Sequence, residues 1–415
     1  SWNAHEENWW APTFGKAWTY ASLKASYSLT ADRGPASNSL AVFQSFTPWR
    51  PSTAANESAI ILAALENSEL TYEKKHELNI GLALGFVDNR VNVEFDWYRR
   101  NNFDLIGYTQ TMGVGGVTTK LANDATMEST GCEFTISTTN IKTKDFKWTT
   151  DWIFGWAENT ITKLDSRSQV YSLVNGVGRT EGRPIGALYS IPFAGLTEEG
   201  LPTFFIDAEH TQVVGPGNYA AIYFQEYENI DYLKYEGTID PKITGSFGNT
   251  FSWKGLKLNV FFTYSFGNVL RLDPLCPVYS SDYSDLTASM KEMKNRWMVP
   301  GDEQVTTIPS IPTVRQMREI DALSNAYSAY NYSTERVAKG DFIRLKELSL
   351  AYDLPKKYLE GQNAVSSFGV KLSATNLWLA YADKKLNGRD PEYYNTGGVS
   401  SPVPRQFTLT VKLGF

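Results

Sequence analysis

The nine residues that end the chain, Phe407-Thr-Leu-Thr-Val-Lys-Leu-Gly-Phe415, alternate apolar and polar without a break. Successive side chains of a strand point to opposite faces. Phe407, Leu409, Val411, Leu413 and Phe415 therefore share one side, and Thr408, Thr410, Lys412 and Gly414 share the other. A single strand of this kind fits a half-buried soluble sandwich as well as a membrane wall. Recurrence decides between them, and the pattern recurs along the whole chain.

Leu78, Ile80, Leu82, Leu84 and Phe86 alternate with Glu77, Asn79, Gly81, Ala83 and Gly85. Val91, Val93, Phe95 and Trp97 alternate with Asn92, Glu94, Asp96 and Tyr98. Phe146, Trp148, Trp152, Phe154 and Trp156 share a parity, opposed by Lys147, Thr149, Asp151 and Gly155. Leu256, Leu258, Val260, Phe262, Tyr264 and Phe266 stand against Lys257, Asn259, Thr263 and Ser265. A soluble sandwich rarely sets acids and lysines so regularly against Trp and Phe. In a transmembrane barrel, lipid demands the apolar face and a watery lumen accepts the charged one.

The mean hydropathy of −0.32 is no obstacle, because alternation hides hydrophobicity in the average. No stretch approaches the ~18 apolar residues of a membrane helix. The longest apolar run, Ala59 to Leu65, is expected to be a short helix within a loop. The 12 Trp and 23 Tyr suit interfacial girdles, and a soluble aromatic-rich glycan-binding β protein is the bland alternative. A net charge of −6 argues against nucleic acid as a partner. Cys132 and Cys276 are far apart with no metal spacing, so two unpaired thiols are expected, Cys132 facing lipid and Cys276 in a long loop. The chain opens on Ser1 with no signal peptide and reads as a mature or partial product.

Eleven strands are expected, near 10–20, 21–31, 76–86, 89–100, 128–139, 145–157, 242–252, 256–267, 342–354, 366–378 and 406–415, with a further hairpin within 184–207. Short connections fall at 87–89, 140–144, 253–255 and 355–363, and long ones at 32–75, 101–127, 158–241, 268–341 and 379–405. Outer-membrane barrels show this alternation, with the long loops extracellular. The closing strand follows a long loop, which puts Phe415 at the periplasmic rim. With eleven strands the first also runs inward. An odd, open sheet in lipid leaves unpaired edges, so the whole chain, 1–415, reads as part of a larger all-β barrel with strands missing upstream.

Several segments together resemble SusC/RagA-type TonB-dependent transporters. They are Pro12 to Trp18 with Leu23 to Thr30, Leu70 to Gly81, and Glu128 to Glu133 with Phe146 to Trp148 and Asn159 to Leu164. They continue through Gly182-Arg-Pro-Ile-Gly186 to Pro202, Pro241 to Gly267, and Gly340 to Pro355 with Ala374-Thr-Asn-Leu377 and Asp390-Pro-Glu392. The blocks keep family order over the full length. The resemblance implies a 22-stranded antiparallel barrel of the Bacteroidota outer membrane, plugged by an N-terminal domain absent from this chain. It implies active import of a large nutrient, a glycan more commonly than an oligopeptide. The implied partners are a SusD-like surface lipoprotein capping the barrel, TonB-ExbB-ExbD acting through the missing N-terminal region, and the barrel-assembly machinery reading terminal Phe415. A passive porin-like pore or a protein-export channel is the alternative.

No catalytic, metal or cofactor site is expected. His5, His76 and His210 make no metal-ligand pair and stand near no Gly-x-Ser-x-Gly turn. His76, opening a strand at the rim, reads as a solvated or hydrogen-bonded imidazole. Met112-Gly-Val-Gly-Gly116 reads as a loop and not a phosphate cradle, since no helix start follows. Functional weight falls on the long loops. Tyr219, Tyr223, Tyr227, Tyr232 and Tyr235 lie among interleaved acids, and Tyr279 and Tyr283 flank another acidic segment. Tyrosine offers a stacking face and a hydroxyl, so these seven are candidate contacts for substrate or for the lipoprotein, with plain loop packing as the alternative. The stretch Pro300-Gly-Asp-Glu303 is expected to be structural.

Overall fold

The computed structural model describes residues 1–15, 17–33, 39–47, 58–113, 116–275, 291–355, 358, 365–394 and 403–414. Ten strands form one antiparallel sheet in chain order. They are β1 (Trp18–Asp32), β2 (Glu73–Phe86), β3 (Val91–Gln110), β4 (Thr119–Lys142) and β5 (Phe146–Leu164). Then follow β6 (Ile243–Trp253), β7 (Leu256–Phe266), β8 (Phe342–Asp353), β9 (Ser367–Ala382) and β10 (Gln406–Gly414).

Register fixes the two faces. Trp148, Phe251, Leu258, Leu350, Leu372 and Leu409 stand opposite one another across six strands. One residue along, Thr149, Thr250, Asn259, Ser349, Ser373 and Thr408 form the matching polar row. A slip of one residue would exchange the rows, so the apolar pattern specifies this register. The polar side is concave: Thr250, Lys257, Asn259, Glu347, Ser349, Lys371 and Lys412 line a single hollow of about 420 Å³. The opposite side is bare and apolar, with Leu350 at 45%, Leu372 at 51% and Leu409 at 68% exposure. A wet inner face and a naked apolar outer one are the two sides of a membrane wall. Exposed aromatics band its ends, Trp18 and Trp253 towards the short turns and Tyr27, Trp378 and Tyr381 towards the long loops.

Two expected strands, 10–20 and 21–31, are one. Trp10–Thr13 is a helical turn that carries Pro12, whose missing N–H suits a helix start and not a ladder. Its Trp10 ring meets Trp18 at 6.0 Å, and Trp18 meets Phe86 at 5.1 Å. The count is therefore ten, and the odd-number argument for missing strands falls away. The first strand also runs towards the long loops, opposite to the expected direction. What marks the sheet as incomplete is its openness: β1 and β10 are its two ends and do not pair with each other.

Ala59–Ala64 is a strand, paired with Val42–Phe46, and not the expected helix. Its Ile60 and Ile61 favour extended backbone, and so short a run cannot repay helix nucleation. The expected loop 101–127 is largely strand too, because β3 and β4 pair as far as Gln110 and Thr119. The hairpin within 184–207 is present as Phe193–Leu196 against Pro202–Phe205. The tight turn between β6 and β7 places Lys254 and Gly255 at φ 46° and 93°, the left-handed pair that matches a two-residue hairpin. Cys132 is free and partly buried, opposite Trp97 and Trp156 in the apolar row. Cys276, Tyr279, Tyr283, Phe415 and part of the 112–116 segment lie outside the described residues.

Candidate functional site

The largest buried core lies outside the sheet. Val170, Leu173, Leu201, Phe204 and Tyr219 from the first very long loop pack with Leu323, Ala326, Tyr327 and Tyr330 from the second. Burying such side chains contributes ~1.5–3 kcal/mol each, so the two loops hold together as a folded platform. Arg271 pins its base. Its Nη1 donates to the Ser333 carbonyl at 2.9 Å, and its Nη2 to the Val174 carbonyl at 3.2 Å and Ser190 Oγ at 3.1 Å. Burial pulls the Arg271 guanidinium down to about 10.

A strap from the last long loop ties the platform to the wall. Buried Arg344 of β8, on the polar face, pairs with buried Asp390, and its Nε lies 3.1 Å from Glu392. Arg389 pairs with Asp273, while Arg336 and Asn387 meet at Glu292, at 2.5 and 2.8 Å. The Asp390-Pro-Glu392 signature is thus an anchor point: Asp390 also accepts from the Glu392 N–H, capping a short helical turn.

Where the platform meets the tips of β3 to β5, two hollows of about 590 and 470 Å³ share Ser166, Arg167, Tyr227 and Glu228. Thr109 and Gln110 of β3 line the first, with Tyr223 and Gln225 facing them. Arg179, Thr180, Glu181 and Asp231 line the second. Tyr227 spans the joint: its hydroxyl accepts from Gln169 Nε2 and donates to Gln110 Oε1 at 3.3 Å. Buried Asp124 of β4 lies behind Ser166 and accepts the Ser166 hydroxyl proton at 2.8 Å. Glu226 is committed to its own turn. The N–H groups of Glu228 and Tyr227 hold its carboxyl below the usual carboxylate range.

The sequence-selected tyrosines divide accordingly. Tyr223, 57% exposed, and Tyr227 line the groove. Tyr219 and Tyr232 do not present a face to any ligand, which corrects the expectation for both. Tyr219 is fully buried and donates to the Pro202 carbonyl at 2.9 Å, and burial raises its phenol. Tyr232 is buried in the same core, and that burial, with the nearby Glu226 charge, pushes its phenol up to about 12. Tyr235 packs on Tyr189, with the Arg183 guanidinium 4.4 Å above its ring. Ser166, Arg167, Arg179 and Asp124 were not selected from the sequence, because they form no motif and meet only through the fold. His76 Nδ1 lies 3.0 Å from the Tyr27 hydroxyl, on the outer face near the long loops.

No protein-family profile matches the chain. TonB-dependent receptor P3 of Formosa agariphila is 26% identical over 393 residues, 86% of this chain and 36% of that protein. TonB-dependent receptor P39 of the same organism is 24% identical over 442 residues, 97% of this chain and 40% of that one. TonB-dependent receptor SusC of Bacteroides thetaiotaomicron is 34% identical over a shorter stretch of 99 residues, 24% of this chain and 10% of that protein. Among solved structures, the RagAB peptide importer in its closed-closed state superposes with a TM-score of 0.73 at 24% identity, covering 98% of this chain and 42% of that one. The chain thus spans well under half the length of the proteins it matches. These relatives are named as receptors and an importer, not as enzymes.

Proposed function

We infer that this chain, which belongs to the SusC/RagA-type TonB-dependent receptors as the C-terminal part of their barrel, works in the active import of a large nutrient across the bacterial outer membrane. The observation that carries this reading is a polar groove set on a folded loop platform above a wall with a wet inner face. A passive pore needs no such platform tied to its rim by buried ion pairs. The long loops face the cell exterior in this reading, and the short turns face the periplasm. A glycan is the proposed cargo and an oligopeptide the second candidate.

A SusD-like lipoprotein seats on the platform, and TonB-ExbB-ExbD drives the cycle through the plug region of the full-length protein. The test is uptake by cells expressing that full-length protein, with TonB present or deleted. Uptake that survives TonB deletion means a passive pore and sinks the reading. Mass spectrometry of ligand co-purifying with the transporter and its lipoprotein addresses the cargo. Recovery of peptides alone defeats the glycan assignment and leaves the importer standing.

A further inference from the structure

The polar face of the wall carries charge in two tiers of opposite sign. Near the short turns, one row crosses β4 to β10 and holds Lys142, Lys147, Lys257 and Lys371 and no acid. Lys142 and Lys147 stand directly opposite each other. Two hollows of about 420 and 290 Å³ run along this row and add Lys144, Lys254 and Lys412, with Asp145, Glu347 and Asp353 as their acids. Lys371 lies 3.4 Å from Glu347 and Lys254 3.9 Å from Asp145, and the other five lysines make no ion pair among the described residues. This basic strip belongs to a chain whose net charge is −6. Eight residues further along β5, roughly 26 Å at ~3.3 Å per residue, the same face turns acidic. Asp96 of β3 stands directly opposite Glu133 of β4, in the row that reaches Gly155, and Glu94 lies two residues nearer the short turns. Lys24 of β1 is the base of that row, two strands from Asp96, and neither it nor the three acids make an ion pair among the described residues.

We propose that the two tiers seat the domain that fills the lumen of the full-length protein and set its orientation, with an acidic face against the lysine row at the periplasmic mouth and a basic face against Glu94, Asp96 and Glu133 further up the wall. Like charges directly opposite each other destabilise a sheet, so within the wall each tier is a cost. Counter-charges from outside the wall offset it. Two signs at fixed and widely separated heights call for one occupant that carries both at matching heights, and a folded polypeptide does. A lipid has no place for its acyl chains on a polar face, and a small anion answers the lysines alone. The chain covers 36% of receptor P3 and 40% of receptor P39, so more than half of each relative lies outside the matched region. Barrels of 22 strands in outer-membrane transporters hold a plugged lumen. Gly81 of β2 lets the Asp96 carboxylate lie flat on the wall beneath such an occupant, because a Cβ there would collide with Asp96 Oδ1. Ion pairs at a wet mouth are individually weak and screened by salt, which suits a domain that must shift for cargo to pass.

The seat rests on the importer reading, so the experiment separates the two. Carbodiimide coupling joins an ammonium to a carboxylate only where they touch; an amide forms, and the reagent takes up the lost water as its urea. The full-length protein is treated in isolated outer membranes, purified and mapped by mass spectrometry. Lys147 or Lys257 should couple to an Asp or Glu upstream of Ser1, and Asp96 or Glu133 to a Lys upstream of Ser1. Coupling of the lysine row only to carboxylates of the wall or of a separate protein, or no coupling at all, would overturn the seat. The variants Lys147→Gln/Lys257→Gln and Asp96→Asn/Glu133→Gln give a second reading in planar bilayers. Each should begin to conduct at lower urea than the unaltered protein. Both relieve repulsion within the wall, so a merely structural role would leave the onset unchanged or raise it, and that result in either variant also overturns the seat. Heat-modifiable migration checks that each variant keeps its barrel. TonB-dependent uptake measured in parallel tests the importer itself, and its persistence alongside a failed seat confines the failure to the seat.

Discussion

At the scale of single residues, parity determines what each side chain must tolerate. Leu258 and Val260 lie on the apolar face, while Asn259 lies on the concave polar one. Leu258→Arg or Val260→Arg should cost ~2–4 kcal/mol near the mid-bilayer, and Asn259→Arg should be accepted. Yields of folded barrel from denaturant titration in lipid would show the contrast, and equal damage at all three positions would refute the assignment. Tyr232 answers to pH. Its phenol is raised from 10.0 to about 12 in the folded chain, so its contribution is complete below pH 10.0 and is lost as pH rises through about 12. Tyrosinate absorbance and proteolysis of the platform should change together in that window. A platform intact above it would show that Tyr232 is not a core contact.

At the scale of elements, the barrel strands were legible and the platform was not. Lipid imposes period two on a strand, and that signal survives in sequence whatever the neighbours are. Above the bilayer both faces are wet and the constraint lapses, so the tips of β3 and β4 read as loop. Asp104, a left-handed residue at φ 58° where the ladder shifts register, breaks the alternation further. Tyr219 and Tyr232 looked like ligand contacts because aromatic residues among acids read alike whether buried or presented. Their burial depends on Leu323 to Tyr330, roughly a hundred residues along the chain. Only the fold brings them together.

The platform's attachment is testable at this scale. Removing one partner of a buried ion pair strands the other, at ~3–5 kcal/mol. Asp390→Ala should therefore speed hydrogen exchange in 383–394 and in the short paired segments 269–271 and 337–339, with the strands unaffected. Unchanged exchange would mean that the strap does not hold the platform. Sidedness is tested in a background where Cys132 and Cys276 are replaced by serine. A cysteine at Val305, 84% exposed on the platform, should react with an impermeant reagent on intact cells, and one at Lys254 should not. The reverse result would invert the topology.

At the scale of the whole molecule, β10, the last strand in the order of the sheet, carries its own prediction. Deleting Phe415, or changing it to Asp, should lower the amount of heat-modifiable barrel at constant transcript level. A normal yield would remove any role for that residue as an assembly signal.

The two ends of the sheet impose a rule on whatever completes it. Ten antiparallel strands leave β1 and β10 running in opposite directions, each with one edge that pairs no further strand among the described residues. That edge of β1 accepts partners antiparallel, as Trp2 does where it bridges Leu23. If every neighbour in the closed ring is antiparallel, an even number of strands must be inserted. That holds whether they belong to the same polypeptide or are supplied separately, which makes this wall a template for split-protein complementation. A co-expressed half-barrel with an even strand count has matching polarity at both seams. One with an odd count must either leave a seam unpaired in lipid or force a parallel junction, and the unpaired seam is the state that quality control in the envelope is there to remove.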